Sequence, residues 1–316
     1  MSGESLDQFC DRLNPEACRL VNLPERIWLF GGPCSPYLDA QGKCLSLRES
    51  FWRQSFAFVT SRAQPWDWIR DLDIPEKHPG WLAFSGYDDL LTFERDACHL
   101  AKAIVLFSES EGSLAELGAL AVDDSIVNRL IVVIENKYLD ENHRNSFINL
   151  GPLRRAEALH NRCVISSNPS KDLTQDDFET VMEFVHDKLP TISKSSTEKL
   201  RTKILTHRLL LIADIIDMLL ISKLDELEKA LQHFEIQLTQ QDLRRATKLL
   251  EFFGLISIEH RGKECFFVQR KKTNCEWVSY TAKADKPAFH RSRFKLERFE
   301  IIKNNPRLLS VWERTP

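Results

Sequence analysis

The sequence predicts an α/β fold, a doubly wound parallel sheet, followed by a smaller α+β domain of the winged helix-turn-helix type. Three observations predict it. Between residues 26 and 188, short apolar runs alternate with segments of helical period, the pattern of a parallel sheet covered by helices. From residue 200 the pattern becomes three successive helices and a two-strand hairpin. The charge also changes sign along the chain. Residues 195–316 carry 23 Lys and Arg against 16 Asp and Glu, and residues 1–194 carry 20 against 30. A chain of 316 residues fits two domains better than one, and the boundaries read as 1–190 and 197–316.

In chain order, residues 6–20 read as a leading helix. Residues 26–30 (RIWLF) form a strand that exits sharply through Gly31 and Gly32. Ser46 caps an amphipathic helix reaching residue 61, and residues 66–69 read as a short strand. Residues 78–87 are loop-like, and Asp88 or Asp89 caps a helix that runs to residue 102. The apolar run 104–107 is a buried strand, and a helix opens after it at Leu114. Residues 129–134 form another strand, 136–152 a long loop of the length that often carries function, 162–165 a last strand, and 176–188 a closing helix. Residues 190–196 read as a linker. Helices over 200–221, 223–234 and 239–253 follow, the last capped by Thr239 and ended by Gly254. A hairpin turns at Arg261-Gly262-Lys263, and the remaining tail is basic with interleaved aromatics.

Composition excludes several classes. The longest apolar stretch, 209–221, is interrupted by Asp214 and Asp217, so it is no membrane span. The first residues lack the layout of a signal peptide. Eight cysteines show neither a CxxC pair nor zinc spacing, which points to reduced core thiols and a cytoplasmic protein without a metal site.

The chemistry concentrates in AIVLFSESEGSLAELG, residues 103–118. In an open α/β sheet, ligands sit at the carboxyl ends of the strands. Glu116, expected in the first turn of the helix, is therefore aimed at a cleft and would be held ionised by the helix dipole. An ionised carboxylate suits attack on, or stabilisation of, a sugar C1′ during glycosidic cleavage. The bland alternative is an ordinary capping acid. Gly31 and Gly32 read as a phosphate or ribose cradle, or simply as a strand-exit turn. Trp66, Trp68 and Trp81 read as core, His99 and His143 as satisfied or exposed, and Glu94 and Asp96 as a solvated face with one acid able to point inward.

The segment running from Asp88-Asp89-Leu through Gly112-Ser-Leu-Ala-Glu116-Leu-Gly118, with Phe147-Ile-Asn149-Leu, resembles the nucleoside 2′-deoxyribosyltransferases. The resemblance implies that Glu116 is the nucleophile, that Asp88 or Asp89 contacts the base or sugar, and that Asn149 reaches the sugar hydroxyl, often across a subunit boundary. Glu109 and Ser113 join them as substrate-binding candidates. The transferases carry further acids before the nucleophile, whereas the loop here is shorter and holds Glu109 and Glu111.

Phe30-Gly-Gly32, Ser50-Phe-Trp-Arg53 and Ser146-Phe-Ile-Asn-Leu-Gly-Pro152 extend the resemblance to a narrower group. These are retron-associated effectors with a deoxyribosyltransferase-like N-glycosidase domain and a winged-helix tail. The resemblance implies a toxin that cleaves a nucleotide such as NAD as substrate. It needs no bound cofactor, can form a homo-oligomer, and is controlled by a retron reverse transcriptase and its msDNA. In the tail, Arg244, Arg245 and Lys248 on the third helix and Arg261 and Lys263 on the wing are placed for phosphate or partner contacts. Two rival readings are a true deoxyribosyltransferase and a non-catalytic nucleotide-sensing DNA-binding regulator.

Overall fold

Five short strands assemble the first unit. They are β1 (Ile27–Phe30), β2 (Leu72–Asp73), β3 (Ala103–Phe107), β4 (Leu130–Glu135) and β5 (Arg162–Ile165). All pair in parallel, in the order β2-β1-β3-β4-β5. The computed structural model describes residues 6–37, 42–61, 66–84, 86–167, 170–194, 198–270 and 276–315. Contacts divide the chain into Pro24–Ser195 and a second unit made of Met1–Leu23 with Ser196–Pro316.

Strands β1, β3 and β4 are buried along their whole length, as unbroken apolar runs require when helices cover both sheet faces. One face carries Leu29, Val105, Phe107 and Val133. It packs on Phe51 of α1 (Leu47–Ser61) and on Phe178 and Val181 of α5 (Gln175–Lys194). The opposite face presents Trp28 and Phe30 to Trp81, which packs edge-on against Phe93 of α2 (Leu90–Cys98). Helices α3 (Glu111–Ala121) and α4 (Arg154–Ala158) contact β4. Each fully buried large apolar side chain contributes about 1.5–3 kcal/mol.

The strand order fixes where a ligand fits. The chain leaves β1 toward β2 on one side and returns to β3 on the other, so the crevice opens between the carboxyl ends of β1 and β3.

In the second unit, α6 (Leu205–Leu219) leads into β6 (Ile221–Ser222), α7 (Leu224–His233) and α8 (Gln240–Phe252). The hairpin β7 (Ile256–Arg261) and β8 (Glu264–Gln269) follows, and β6 pairs antiparallel with β8. Helices α9 (Arg291–Lys303) and α10 (Pro306–Arg314) end the unit. The Asp214 carboxylate is fully buried in α6, where it accepts the Trp277 and Val278 N–H groups and the Arg291 guanidinium. The acids that break the apolar run are thus anchors for the tail. Among the described residues, no helix is long and apolar enough to cross a membrane.

Several expectations are corrected. The leading helix is only Leu6–Arg12. Asn14 caps a 3-10 turn at Pro15–Ala17, and the strand Arg19–Leu20 then pairs with Val278–Ser279 and Glu198–Lys199, which places the chain start in the second unit. Residues Asp67–Asp71 form a 3-10 turn rather than a strand, and the strand follows at Leu72. Helix α2 ends at Cys98, short of residue 102. The supposed linker is helical to Lys194, because buried Leu189 and Ile192 hold α5 to the core through Pro190; residues 195–196 lie outside the described ones. The tail aromatics Tyr280, Phe289 and Phe294 cluster around Phe9, at ring separations of 4.9–5.6 Å, with Phe294 fully buried. The seven described cysteines are free thiols, and Cys275 lies outside the described residues.

Candidate active site

The crevice is built around Glu109, which lies just beyond β3. Its carboxylate accepts the N–H of Gly32 (3.1 Å), Leu47 (2.7 Å) and Arg48 (3.0 Å). One side chain therefore ties the β1 exit to the free amides that start α1. The glycines make this approach possible. A Cβ on Gly31, whose φ is +144°, would lie 2.9 Å from Phe107, and a Cβ on Gly32 would lie 2.7 Å from Ser46 Cβ. Ser113 is buried and structural: its Oγ accepts the N–H groups of Glu109 and Ser110, and its own N–H donates to Ser110 Oγ. Glu109 and Ser113 act here as scaffold.

Reciprocal capping by Ser110 and Ser113 starts α3 at Glu111 rather than Leu114. Glu116 thus sits in the second turn, beyond the reach of the helix end, so the expected dipole stabilisation is lost. Burial pushes the Glu116 carboxyl up to about 8. The Glu94 carboxylate adds to the rise, the Arg48 guanidinium opposes it, and Glu76 adds again. The Glu116 Oε2 atom is buried without a hydrogen-bond partner among the described residues.

Three carboxylates thus face one guanidinium. Arg48 is 3% exposed, pairs with Glu76 and donates to the Leu29 carbonyl (3.2 Å). Glu94 accepts the Trp81 indole N–H (2.9 Å), and burial raises its carboxyl as well. Glu76 is presented by the Pro75–Lys77 turn after β2, where Asp73 accepts from His78 Nε2 (2.8 Å). Of these, the sequence raised only Glu94, together with Asp96 as a solvated face of which one acid could point inward; the structure turns Glu94 inward. Arg48 could have been suspected from its place in the first turn after the β1 exit.

The other candidates fall elsewhere. Asp89 caps α2, its carboxylate accepting from Thr92 N–H (2.7 Å) and Oγ1 (3.0 Å), and Asp88 beside it is exposed. Asn149 braces its own loop, its amide donating to the carbonyls of Tyr138 (2.7 Å) and His143 (3.0 Å). Its segment, Asn149–Leu153, packs on α3. In the second unit, Arg244 is exposed, Arg245 half-buried, and Lys248 pairs with Glu251. Arg261 donates to the Ser310 carbonyl of α10, while Lys263 is exposed at the hairpin turn. His99 pairs with Asp123 and Trp66 stacks on His186, both structural contacts.

Fold and site together define an α/β protein with an acidic cluster at the switch point of its parallel sheet. The chain belongs to the STM3845 retron effector protein family, whose profile matches residues 58–258. It is similar to two Escherichia coli proteins. It is 34% identical over 94 residues to the "Retron Ec86 putative ribosyltransferase/DNA-binding protein", and 40% identical over 67 residues to the retron Ec73 protein of the same description. The aligned parts cover 29% and 21% of this chain, and 30% and 20% of those proteins.

Replacing Glu109 with Ala leaves three backbone donors without their acceptor. At about 1–3 kcal/mol per buried unpaired donor, the expected loss is about 3 kcal/mol or more. Thermal denaturation should show a fall of roughly 6–12 °C in Tm. A loss below about 1 kcal/mol would mean that water replaces the carboxylate and that the clasp is not structural.

Proposed function

We propose that this retron effector cleaves the bond between sugar and base in a nucleotide, with Glu116 as the catalytic carboxylate. The observation that carries the reading is the buried Glu116 oxygen without a partner, set among Glu76, Glu94 and Arg48 at the switch point. A carboxyl held this way gains most when positive charge appears beside it. Glycosidic cleavage creates that charge at C1′ as the C1′–N bond breaks and its electron pair leaves with the base. Glu116 meets C1′ by attack or by electrostatic stabilisation. Water then supplies the oxygen at C1′; its proton goes to a base that departs as an anion, or to solvent when a cationic base such as nicotinamide departs neutral. Asn149 meets a sugar hydroxyl, in the same copy or across a homo-oligomer boundary. NAD is the leading candidate substrate, because its nicotinamide carries a positive charge that complements the excess of carboxylates. The relatives' description as ribosyltransferases supports chemistry at a ribosyl carbon.

For the second unit we propose a winged helix that docks msDNA, alone or with the reverse transcriptase, and so holds the activity in check in antiphage defence. The order of three helices, β6 and a hairpin supports it. So does the charge, which is positive in this unit and negative in the other. The DNA-binding half of the relatives' description supports it too.

Glu116→Gln should leave a folded protein that has lost base release by about a thousandfold or more, read by mass spectrometry of nucleotides. Turnover within tenfold of wild type would remove Glu116 from the reaction. The reacting form is the ionised carboxylate, and its value in the empty site is raised to about 8. In wild type, kcat/KM should therefore climb about tenfold per pH unit below that value and level above it. A fall with rising pH would instead make Glu116 a proton donor.

Arg244, Arg245 and Lys248 changed together to Ala should weaken binding to the retron hybrid. The slope of log affinity against log salt should become shallower by about two to three, since each of the three lost phosphate contacts removes about 0.7–0.9 of a released counterion. Catalysis on a free nucleotide should persist. An unchanged slope would show that the unit grips protein instead of nucleic acid.

A further inference from the structure

The structure assigns a phosphate subsite to the cleft lined by Leu139, Arg144, Asn149, Arg154 and Arg162 in the α/β unit. The expected cradle at Gly31 and Gly32 is closed to phosphate, because the Gly32 N–H already donates to Glu109. The Glu109 carboxylate also holds the Leu47 and Arg48 N–H groups, and the Arg48 guanidinium is paired with Glu76, so the donors there already serve carboxylates. A substrate that carries phosphate therefore needs a cationic seat away from the carboxylates.

The unit offers one. Residues 24–195 hold 18 Lys and Arg against 26 Asp and Glu, yet residues 137–162 reverse the balance, five against three. Within that stretch, Arg144 and Arg154 are exposed, and neither guanidinium has an ion pair or hydrogen bond among the described residues. Arg162 is held by Glu157 at the cleft wall. The cleft measures about 360 Å³, in the range of small-ligand sites rather than of extended interfaces. Guanidinium forks match phosphate oxygens two at a time. Asn149 lines the same cleft, and its carboxamide oxygen accepts no hydrogen bond among the described residues, so the group proposed to meet the sugar stands beside the groups that would hold its phosphate. The class of ligand is a phosphorylated nucleoside, with a diphosphate favoured by two free guanidinium groups. The assignment rests on the proposed nucleotide reaction for its biological meaning, but the anion site itself does not.

The test uses the full-length protein carrying Glu116→Gln, so that ligand is not consumed, with and without Arg144→Ala and Arg154→Ala. Calorimetric titration with pyrophosphate should show binding weakened at least tenfold by the arginine changes, with adenosine binding unmoved. A second variant, Arg144→Lys with Arg154→Lys, keeps the charge but not the fork and should fall between. In otherwise wild-type protein, the Ala pair should raise KM for a nucleotide while kcat stays within about twofold and kcat/KM for the matching nucleoside is unchanged. Pyrophosphate binding that survives the Ala pair overturns the assignment, whether or not the protein cleaves nucleotides. So does a single-stranded oligonucleotide that outcompetes ADP at this cleft, or an altered oligomeric state with pyrophosphate binding intact, which would make the face a contact between copies. Loss of turnover together with normal pyrophosphate binding in Glu116→Gln counts against neither proposal. If wild type cleaves no nucleotide and the pyrophosphate result holds, the catalytic reading alone fails.

Discussion

Three backbone N–H groups converge on the Glu109 carboxylate, and the groups at the switch point depend on that clasp for their positions. It closes the β1 exit against the end of β3 and fixes the first turn of α1. That turn carries Arg48, and Arg48 is the buried cation against which Glu76, Glu94 and Glu116 are set. Without Gly31 and Gly32 the clasp could not close, because a side chain at either place would meet Phe107, Ser46 or Glu109 itself.

The clasp permits an arrangement that is unfavourable by itself. A buried carboxyl without a partner, beside two others, costs stability and rises in pKa. Proteins keep such groups where a ligand supplies the missing interaction. In the proposed reaction the missing interaction is positive charge, and the clasp, the Trp81–Glu94 hydrogen bond and the Asp73–His78 contact hold the acids in place. The proposed phosphate subsite lies apart from these acids, at the arginine cleft of the 137–162 stretch.

Much of the fold was legible in the sequence. β1, β3 and β4 announce themselves as unbroken apolar runs, and Thr239 and Gly254 mark the ends of α8 as expected. The losses have physical causes. Gly112 within Ser110-Glu111-Gly112-Ser113 reads as loop, yet reciprocal serine capping starts the helix there and moves Glu116 one turn inward. A two-residue strand such as β2 has no periodicity, so Glu76 after it carries no signal. Pro190 reads as a break, and Leu189 and Ile192 override it by burial. The tail aromatics are recognisable, but their burial around Phe9 depends on a contact nearly 300 positions away. The arginine cleft was invisible because it is assembled from a loop, a helix start and a strand.

The most direct measurement is the titration of the Glu116 carboxyl itself in the ligand-free protein, by carbon-detected NMR of side-chain-labelled glutamate with Glu116→Gln used to assign the resonance. The account predicts a signal absent from the variant and titrating near 8, moving down when a cationic nucleoside binds. A Glu116 resonance titrating near the ordinary carboxylate value of about 4.3 would contradict it, because the carboxyl would then be solvated or paired and the switch point would hold no reserve for a developing charge.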